Sequence, residues 1–456
     1  MRVYYEIETK KRELDARILF SIIGASRGLS VVIGKKNRLI EKTKFLEPGV
    51  YIFKSSQRRI PKEGKYLKDK NFSIFTSDEE GLINISENEV MHRISKKGFD
   101  ITDKFLAWGN EQADIIKKNY DNVSGKIIIA GNSRFDLLKN PVNQIYQQEA
   151  DEIKKKYGEF DLYISAFHKA NAISYPGTDW LTGTKFDSEW REKLFTNMFE
   201  TQKKNLKLTL DFFNKNQKKL ERKIIFRPHP AEKISTWTNE LSDELKDNVI
   251  FDHLNTNAWI LAANKVYSFY STSIIEASIL GKKPINLIFS EEKKIHETKL
   301  FDICSNTVIN PTNYEDLKNK IKENDINYSV KDLEDKLEYY CKYNKSYFAE
   351  LVCDEIIKNF KNKFDNVKKD KYSNMFFFIF FKYLQKIRNL IFLSKDDTDV
   401  KITLQKNPGI DLQEVKKKIE NISGLLKIND IKCKEIYPGI FEIKKDNGKE
   451  LKNKVI

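Results

Sequence analysis

The sequence has few of the residues that build metal sites and disulfide frameworks. Its 456 residues include four cysteines and five histidines. The cysteines are widely scattered without a C-x-x-C pair, and no two histidines have the spacing of a zinc-binding pair. We therefore expect no metal ion and no disulfide framework, and a reducing cytoplasm suits the chain best.

The sequence also lacks a long apolar run. No stretch reaches the ~20 apolar residues that are needed to span a bilayer. Residues 1–17 have the pattern of a strand followed by charged side chains, which is unlike an apolar signal segment. We expect that the bulk of the protein is neither secreted nor integral to a membrane.

Several common functional motifs are missing as well. The chain has no G-x-S-x-G nucleophile elbow, so a hydrolase finds little support. The glycine-flanked stretch from Gly24 to Gly28 lacks both the G-x-G-x-x-G pattern and the Walker lysine. Because this stretch falls between a helix and a strand, we interpret it as a helix C-cap.

The charge balance, in contrast, is strongly basic. The formal net charge is +15 and the pI is about 9.2. A charge of this sign suits an anionic membrane surface or an anionic substrate. Lysine is used heavily throughout the chain, however, so a compositional bias with solvated faces explains the charge equally well. We expect no nucleic-acid partner.

Short apolar runs alternate with helical patterns along most of the chain. This alternation predicts parallel sheets that are covered by helices on both faces, and hence an α/β fold. The candidate strands are 3–7, 30–34, 50–53, 72–75, 104–108, 126–130, 161–165, 223–227, 249–251, 266–269, 285–288 and 307–309.

The order of these elements predicts two Rossmann-like domains, residues 1–143 and 144–335, that face each other across a cleft. A helical segment follows at 336–396 and contains the run MFFFIFF between basic residues. This run suits either a buried helix or a helix on an anionic membrane surface. Residues 397–456 have the pattern of a small α+β module.

Two candidate strands of the second domain end in polar residues. One carries the sequence RPHP, and the other runs into STS at the start of a helix. In an open α/β sheet, ligands bind beyond the carboxyl ends of the strands, where a helix N-terminus favours an anion. We predict that a nucleotide phosphate binds here. The residues concerned are Arg227, His229, Pro230, Ser271, Thr272, Ser273 and Glu276.

The start of that helix also has a purely structural interpretation. Ser273 and Glu276 have the spacing of a capping box, in which each side chain bonds to the other residue's amide. This arrangement accounts for both residues without a ligand and leaves Ser271 and Thr272 for the phosphate. Glu276 then has two open roles, the capping box or a bond to a ribose hydroxyl.

The first domain contributes an acidic loop, SDEEG, after the strand at 72–75. Adjacent carboxylates repel one another, which raises at least one pKa, and such a group can act as a general base toward a hydroxyl. A solvated turn has the same composition, so the residues alone leave both interpretations open. The candidates are Asp78, Glu79, Glu80 and Gly81, together with His168 and Asn171 at a strand end of the second domain.

The order of the motifs is more specific than any one of them. ELDARILFSIIGASRGLSVVIG, PGVYIFKS, SDEEG, FLAWGN, GNSRFDLL, RPHP and STSIIEASILGKKPI follow one another over roughly 1–309. This series resembles the bacterial surface-carbohydrate biosynthesis proteins of capsule and O-antigen pathways. More distantly, it resembles bacterial sialyltransferases and polysialyltransferases, which share [DE]-[DE]-G, HP and Ser/Thr-rich motifs on a GT-B framework.

The resemblance implies an inverting, metal-independent glycosyltransferase that needs no cofactor. Its donor would be a CMP-activated sialic, legionaminic, pseudaminic or Kdo-like acid, and its acceptor a glycan or lipid-linked glycan at the inner face of the plasma membrane. Glu79 or Glu80 would be the general base, His229 would contact the CMP phosphate, and the STS hydroxyls would bind the same phosphate.

Two rival functions stay open. CDP-glycerol glycerophosphotransferases of teichoic acid synthesis also resemble the GNSRFDLL and RPHP stretches. They more often have aspartate where this chain has Glu276, and they have no obvious equivalent of SDEEG. The second rival is a non-catalytic assembly or membrane adaptor that has kept the fold, against which the complete EEG, HP and STS set argues.

Overall fold

The computed structural model describes residues 1–57, 60–82, 84, 86–172, 186, 188–251, 255–288, 303, 308–323, 330–343, 346–364 and 409–446. The chain divides into two compact units, which we call the N-terminal unit (Met1–Ile145 with Leu337–Ile456) and the C-terminal unit (Tyr146–Lys336). Each unit is built on a sheet with parallel strands, so the predicted α/β class is confirmed.

Strands are found in both units. They are β1 (Arg2–Ile7), β2 (Ser30–Lys35), β3 (Val50–Phe53), β4 (Ser73–Ser77), β5 (Lys104–Ala107), β6 (Ile127–Ile129), β7 (Phe160–Ile164), β8 (Lys223–Arg227), β9 (Val266–Ser268), β10 (Ile285–Asn286), β11 (Ile431–Tyr437) and β12 (Ile440–Lys445).

Helices surround these strands. They are α1 (Lys10–Ser26), α2 (Lys36–Lys42), α3 (Ile60–Asp69), α4 (Glu87–Arg93), α5 (Lys96–Ile101), α6 (Asn110–Asn119), α7 (Gln147–Tyr157), α8 (Glu189–Asn216), α9 (Ile234–Glu240), α10 (Asp243–Lys246), α11 (Thr256–Ala262), α12 (Ser273–Ile279), α13 (Tyr314–Glu323), α14 (Val330–Tyr340), α15 (Phe348–Phe364) and α16 (Leu412–Leu426).

The N-terminal unit contains an eight-stranded sheet in the order β11-β12-β2-β1-β3-β4-β5-β6. The six strands β2-β1-β3-β4-β5-β6 of this order are parallel to one another. Five consecutive residues of β1 are buried, as expected for a central parallel strand with both faces covered. The carboxyl ends of β1, β4 and β6 therefore lie along one edge of this sheet.

The first helix ends as the sequence predicted. Gly28 has a φ of +81°, a conformation that suits glycine, and the Leu29 amide donates to the Gly24 carbonyl at 3.0 Å. The Gly24 to Gly28 stretch is thus a helix C-cap, and the interpretation made from the sequence is confirmed.

The described part of the tail, 409–446, extends the N-terminal sheet. β12 pairs antiparallel with β2, and Phe441 lies opposite Ile33. Tyr437 and Ile440 are buried in the same apolar cluster as Tyr4. These residues form a helix and two strands, as an α+β pattern predicts, but the strands join the N-terminal sheet. Local periodicity does not specify the sheet edge with which a strand pairs.

The described part of the predicted helical segment also belongs to the N-terminal unit. Helix α15 packs on α1, where Phe348 lies 6.2 Å from Phe20 between ring centroids. Arg27, directly after α1, forms ion pairs with Glu350 and Asp354 on α15. The MFFFIFF run lies outside the described residues, so the buried helix and the membrane-surface helix both stay predictions.

The C-terminal unit is built on a four-stranded parallel sheet in the order β10-β9-β7-β8. Its core contains Tyr163, Phe213, Phe226 and Trp237 in mutual ring contact. The candidate strand at 249–251 contributes only a single bridge, between Val249 and Phe226, and the candidate at 307–309 only one between Ile309 and Ile285. Within the described residues, neither candidate forms a ladder.

Among the helices of the described residues, none has the length and apolar character that a membrane crossing requires.

Candidate functional site

The acidic loop follows β4 at the carboxyl edge of the N-terminal sheet. Asp78 and Glu79 are buried, with exposed fractions of 4% and 5%. Glu80, the next residue, is exposed. The three neighbouring carboxylates therefore occupy different environments.

Glu79 is held by two arginines. The Arg17 Nη2 donates to its Oε1 at 2.7 Å, and the Arg134 Nε lies 3.4 Å from its Oε2. Burial alone would raise the pKa of Glu79, but the two guanidinium groups more than offset burial and lower this pKa to about 2. Glu79 is thus a firmly ionised, weakly basic carboxylate.

Arg17 is the centre of this arrangement, and sequence reasoning missed it. Its side chain is fully buried in α1, donates to the Glu6 carbonyl at 3.1 Å and to Ser133 Oγ at 2.7 Å, and lies over the Tyr5 ring. The signal was present in ELDARILFSIIG, where one arginine interrupts an apolar helical face. A buried cation in such a position requires a paired anion.

Asp78 has an internal role. Its carboxylate accepts from Arg93 Nε at 3.1 Å and from Gln112 Nε2 at 3.0 Å. Burial raises its pKa although Arg93 opposes this shift. The sequence predicted a raised pKa from repulsion between neighbouring carboxylates, whereas desolvation is the larger cause.

Gly81 is required by packing. A Cβ atom at this position would lie 2.4 Å from Trp108 Cδ1 and 2.6 Å from Gln112 Nε2. These contacts explain the glycine without a substrate. Asp78 and Gly81 therefore support the loop, and Glu80 is its exposed carboxylate.

The C-terminal unit has its own network where β7 and β8 end. Glu232 is fully buried, and its carboxylate accepts from Ser165 Oγ at 2.7 and 2.8 Å, from the Phe167 amide at 2.8 Å and from Trp237 Nε1 at 3.0 Å. Burial raises the pKa of Glu232 to about 7, although these donors oppose the shift. The sequence gave no signal for this residue beyond its position after RPHP.

The structure brings His168 and His229 together. Their ring centroids are 4.8 Å apart. His229 is exposed, and its Nδ1 accepts from the Ala231 amide at 3.1 Å, so the proton of the neutral ring is on Nε2. Burial, and then the charges of His229 and Lys169, lower the pKa of His168 to about 3, so this ring is neutral.

Of the other predicted residues around these loops, Asn171 forms internal hydrogen bonds, whereas Arg227 and Pro230 are at least partly exposed. The Asn171 side chain donates to the Lys233 carbonyl at 3.1 Å and accepts from Thr236 Oγ1 at 2.6 Å, which makes it an internal link. Arg227 is half-buried, with Nη1 3.4 Å from Thr256 Oγ1. Pro230 is exposed beside His229.

The STS residues lie at a strained turn. Tyr270, directly after β9, has a φ of +48°, which is uncommon for a bulky residue, and its amide donates to Asn286 Oδ1 at 2.9 Å. Helix α12 begins at Ser273, whose amide donates to Ser271 Oγ at 3.2 Å. Strain of this kind often occurs at ligand-binding turns.

The capping box suggested by the sequence is wrong. Since the helix begins at Ser273, the amide of Glu276 donates to the carbonyl of Thr272 rather than to the Ser273 hydroxyl. Ser271, Thr272, Ser273 and Glu276 are all partly exposed. The Ser273 hydroxyl and the Glu276 amide therefore do not form the hydrogen bond that the capping box required.

Comparison with known proteins gives a fold but no sequence family. No protein-family model matches the chain, and a search of curated proteins gives no significant match. Among solved structures, the chain is similar to a histidine-to-alanine variant of the wall teichoic acid polymerase TagF, with 13% identity, 80% of this chain, 90% of that chain and a TM-score of 0.51.

Two further structures have comparable values. A histidine-to-asparagine variant of TagF soaked with CDPG has the same identity, coverage and TM-score. The S. aureus MnaA-UDP co-structure is similar at 12% identity over 81% of this chain and 100% of that chain, with a TM-score of 0.50. At such identities the likeness concerns the fold, and it shows that this chain has the α/β architecture of GT-B proteins.

Proposed function

We propose that this protein is an inverting, metal-independent glycosyltransferase that moves an acidic sugar from a CMP donor to a hydroxyl of a surface polysaccharide. One observation carries the proposal. At the carboxyl edge of its sheet, each unit presents an exposed ionisable side chain next to a buried polar network: Glu80 in the N-terminal unit and His229 in the C-terminal unit. A transferase needs both a base and a group that binds the leaving phosphate.

His229 suits the donor phosphate. Because its Nδ1 accepts from the Ala231 amide, the neutral ring carries its proton on Nε2, and an N–H of this kind can donate to a phosphate oxygen. Ser271 and Thr272 add hydroxyls at the turn after β9. His168 stays neutral beside His229, so it contributes packing and a hydrogen-bonding group rather than a positive charge.

Glu80 suits the general base better than Glu79. Glu79 is buried against Arg17, and a carboxylate with a pKa of about 2 accepts a proton poorly. Glu80 is exposed, while its amide is fixed by a bond to Asp78 Oδ1 at 3.2 Å. Glu79 then acts by holding the loop that presents Glu80.

The donor is tested by thermal stabilisation with CMP, CDP, UMP and UDP. A nucleotide that binds the native protein raises the unfolding midpoint by mass action. We expect CMP to give the largest shift and His229→Ala to weaken it, whereas His92→Ala in the N-terminal unit leaves it unchanged. A response to none of the four nucleotides contradicts the proposal and favours the non-catalytic adaptor.

The base is tested by single substitutions, assayed with CMP-activated acidic sugars. Glu80→Gln is expected to lower turnover by about 10²–10⁴-fold, the usual contribution of a general base, while CMP still binds. A Glu80→Gln variant that keeps the parent's turnover overturns the role of Glu80.

A second candidate is a CDP-linked glycerophosphotransferase. The observation that favours it is the fold likeness to TagF, a wall teichoic acid polymerase whose variant was soaked with CDPG. The nucleotide series separates the two candidates, because a clear preference for CDP over CMP supports this one. A preference for uridine nucleotides contradicts both.

A further inference from the structure

The chain contains a fully buried carboxylate, Glu232, that sequence reasoning did not find and that has no role in the proposed reaction. We propose that Glu232 is a positioning residue of the nucleotide site, which fixes the loop that presents His229 by binding it to the loop after β7. The proposal rests on the proposed function, since it assigns a role within the same site.

The carboxylate of Glu232 joins separate parts of the C-terminal unit. Ser165 and the Phe167 amide belong to the loop after β7, and Trp237 belongs to α9. All three donors lie within 3.0 Å of a carboxylate oxygen. Removing this carboxylate would leave the donors of both elements without their shared acceptor.

The backbone around Glu232 is tied to the histidine loop. Its amide donates to the His229 carbonyl at 2.8 Å, and the amide of Lys233 donates to the Asn171 carbonyl at 2.9 Å. Ala231 lies between His229 and Glu232 in the chain, and its amide donates to His229 Nδ1. The tautomer of His229 is therefore set by a short turn that the Glu232 side chain anchors.

The energetics favour a role in positioning. Glu232 forms no ion pair among the described residues, in contrast to Glu79 with its arginines. Burying a carboxylate without a cation is costly even when neutral groups donate to it, and an apolar residue of similar volume would fill the space at lower cost. What an apolar residue cannot do is bind the donors of both elements at once.

The test is the Glu232→Gln variant of the full chain, measured in two ways. Nitrogen NMR of the imidazole rings reports the His229 tautomer in the free protein, and calorimetry reports the Kd for CMP. In the parent we expect the Nε2–H tautomer. In the variant we expect a mixture of tautomers and a Kd for CMP that is raised at least about tenfold.

A matched control separates positioning from general destabilisation. Phe212→Leu changes the same apolar core from α8, where the Phe212 ring contacts Phe213 and Tyr314, so it is expected to keep the parent's tautomer and Kd. If Glu232→Gln does not fold, Ser165→Ala retains the carboxylate, removes one donor and is expected to shift both measurements in the same direction.

The two readouts keep the two proposals distinct. An unchanged His229 tautomer in Glu232→Gln, or an equal change in Phe212→Leu, overturns the positioning role. A parent protein that binds no cytidine nucleotide overturns the proposed function, while the tautomer in the free protein still decides the role of Glu232.

Discussion

Glu79 and Glu232 are the same residue type in closely similar positions, yet their pKa values are shifted in opposite directions. Each is buried near the carboxyl ends of parallel strands, one in each unit. The pKa of Glu79 is lowered to about 2 and that of Glu232 is raised to about 7. Burial disfavours the charged form of both, so the charge of the partners decides the outcome.

The consequence is a division of labour between the two units. Two guanidinium groups keep Glu79 ionised at any physiological pH, so the acidic loop is fixed by charge. Glu232 has neutral donors and titrates close to neutrality, so the histidine loop is fixed by hydrogen bonds. Substitutions at the two sites test this difference, and they are ordered here by the expected loss of stability.

Arg17→Met should have the largest effect. It leaves Glu79 buried without its nearest cation, and it also removes the cation beside Glu13, a buried residue of α1 whose Oε2 lies 3.9 Å from Arg17 Nη2. Breaking a buried pair in this way costs about 3–5 kcal/mol. Urea denaturation measures the loss. Arg27→Met, at the residue that caps the same helix, is the matched control, because its partly exposed pairs contribute only about 0–1 kcal/mol. Equal effects of the two substitutions would contradict the contrast.

Two serine substitutions should have intermediate effects. Ser165→Ala removes a donor to Glu232, and Ser133→Ala removes an acceptor of Arg17, so each should cost about 1.5–3 kcal/mol. Only Ser165→Ala should raise the pKa of its glutamate further, since Ser133→Ala leaves the Arg17 charge beside Glu79. Carbon NMR of the carboxyl groups measures both pKa values, and a similar rise in Glu79 would refute this expectation.

The pH dependence of stability should have opposite signs at the two sites. The pKa of Glu79 is below its ordinary value of 4.5, so its contribution is present above pH 4.5 and is lost as the pH falls through about 2. The pKa of Glu232 is raised, so its contribution is complete below pH 4.5 and is lost as the pH rises through about 7.

Urea midpoints between pH 2 and 8 would show both slopes. Glu79→Gln should flatten the acid limb and leave the neutral limb intact, and Glu232→Gln should do the reverse. A variant that changes both limbs equally would show that the two carboxylates are not independent.

Glu80→Gln should have the smallest effect on stability. Glu80 is exposed, and substitutions of this kind usually stay within about 0.5 kcal/mol. Its effect should appear in turnover alone, in contrast to Glu79→Gln, which leaves the buried Arg17 without its nearest anion. A stability loss in Glu80→Gln that matches Glu79→Gln would mean that the exposed position of Glu80 does not hold in solution.

Much of the fold followed from local patterns. The strands β1 to β9 lie within a few residues of the predicted positions, because the apolar periodicity of each segment is local. The pairing of strands that lie far apart in the chain was not predictable. The tail hairpin pairs with β2, which lies about 400 residues earlier in the chain, and no pattern within the hairpin specifies that edge.

In the candidate site, the positions of the motifs were predictable but the partners of their side chains were not. The sequence placed SDEEG, RPHP and STS at strand ends, and the structure has them there. It did not show that Asp78, Gly81 and Asn171 have internal partners, because those partners come from distant segments. Arg17 and Glu232 were missed for the same reason.

Local sequence patterns specify the α/β class and the strand ends that carry polar residues, but they did not identify Arg17 or Glu232 among the titratable groups there. Only the tertiary structure decided which of those groups is charged, neutral, buried or presented to solvent. The physical reason is that a pKa depends on the partners within a few ångströms, and these lie far apart in the chain: Arg17 and Glu79 are 62 residues apart, and Ser165 and Glu232 are 67 residues apart.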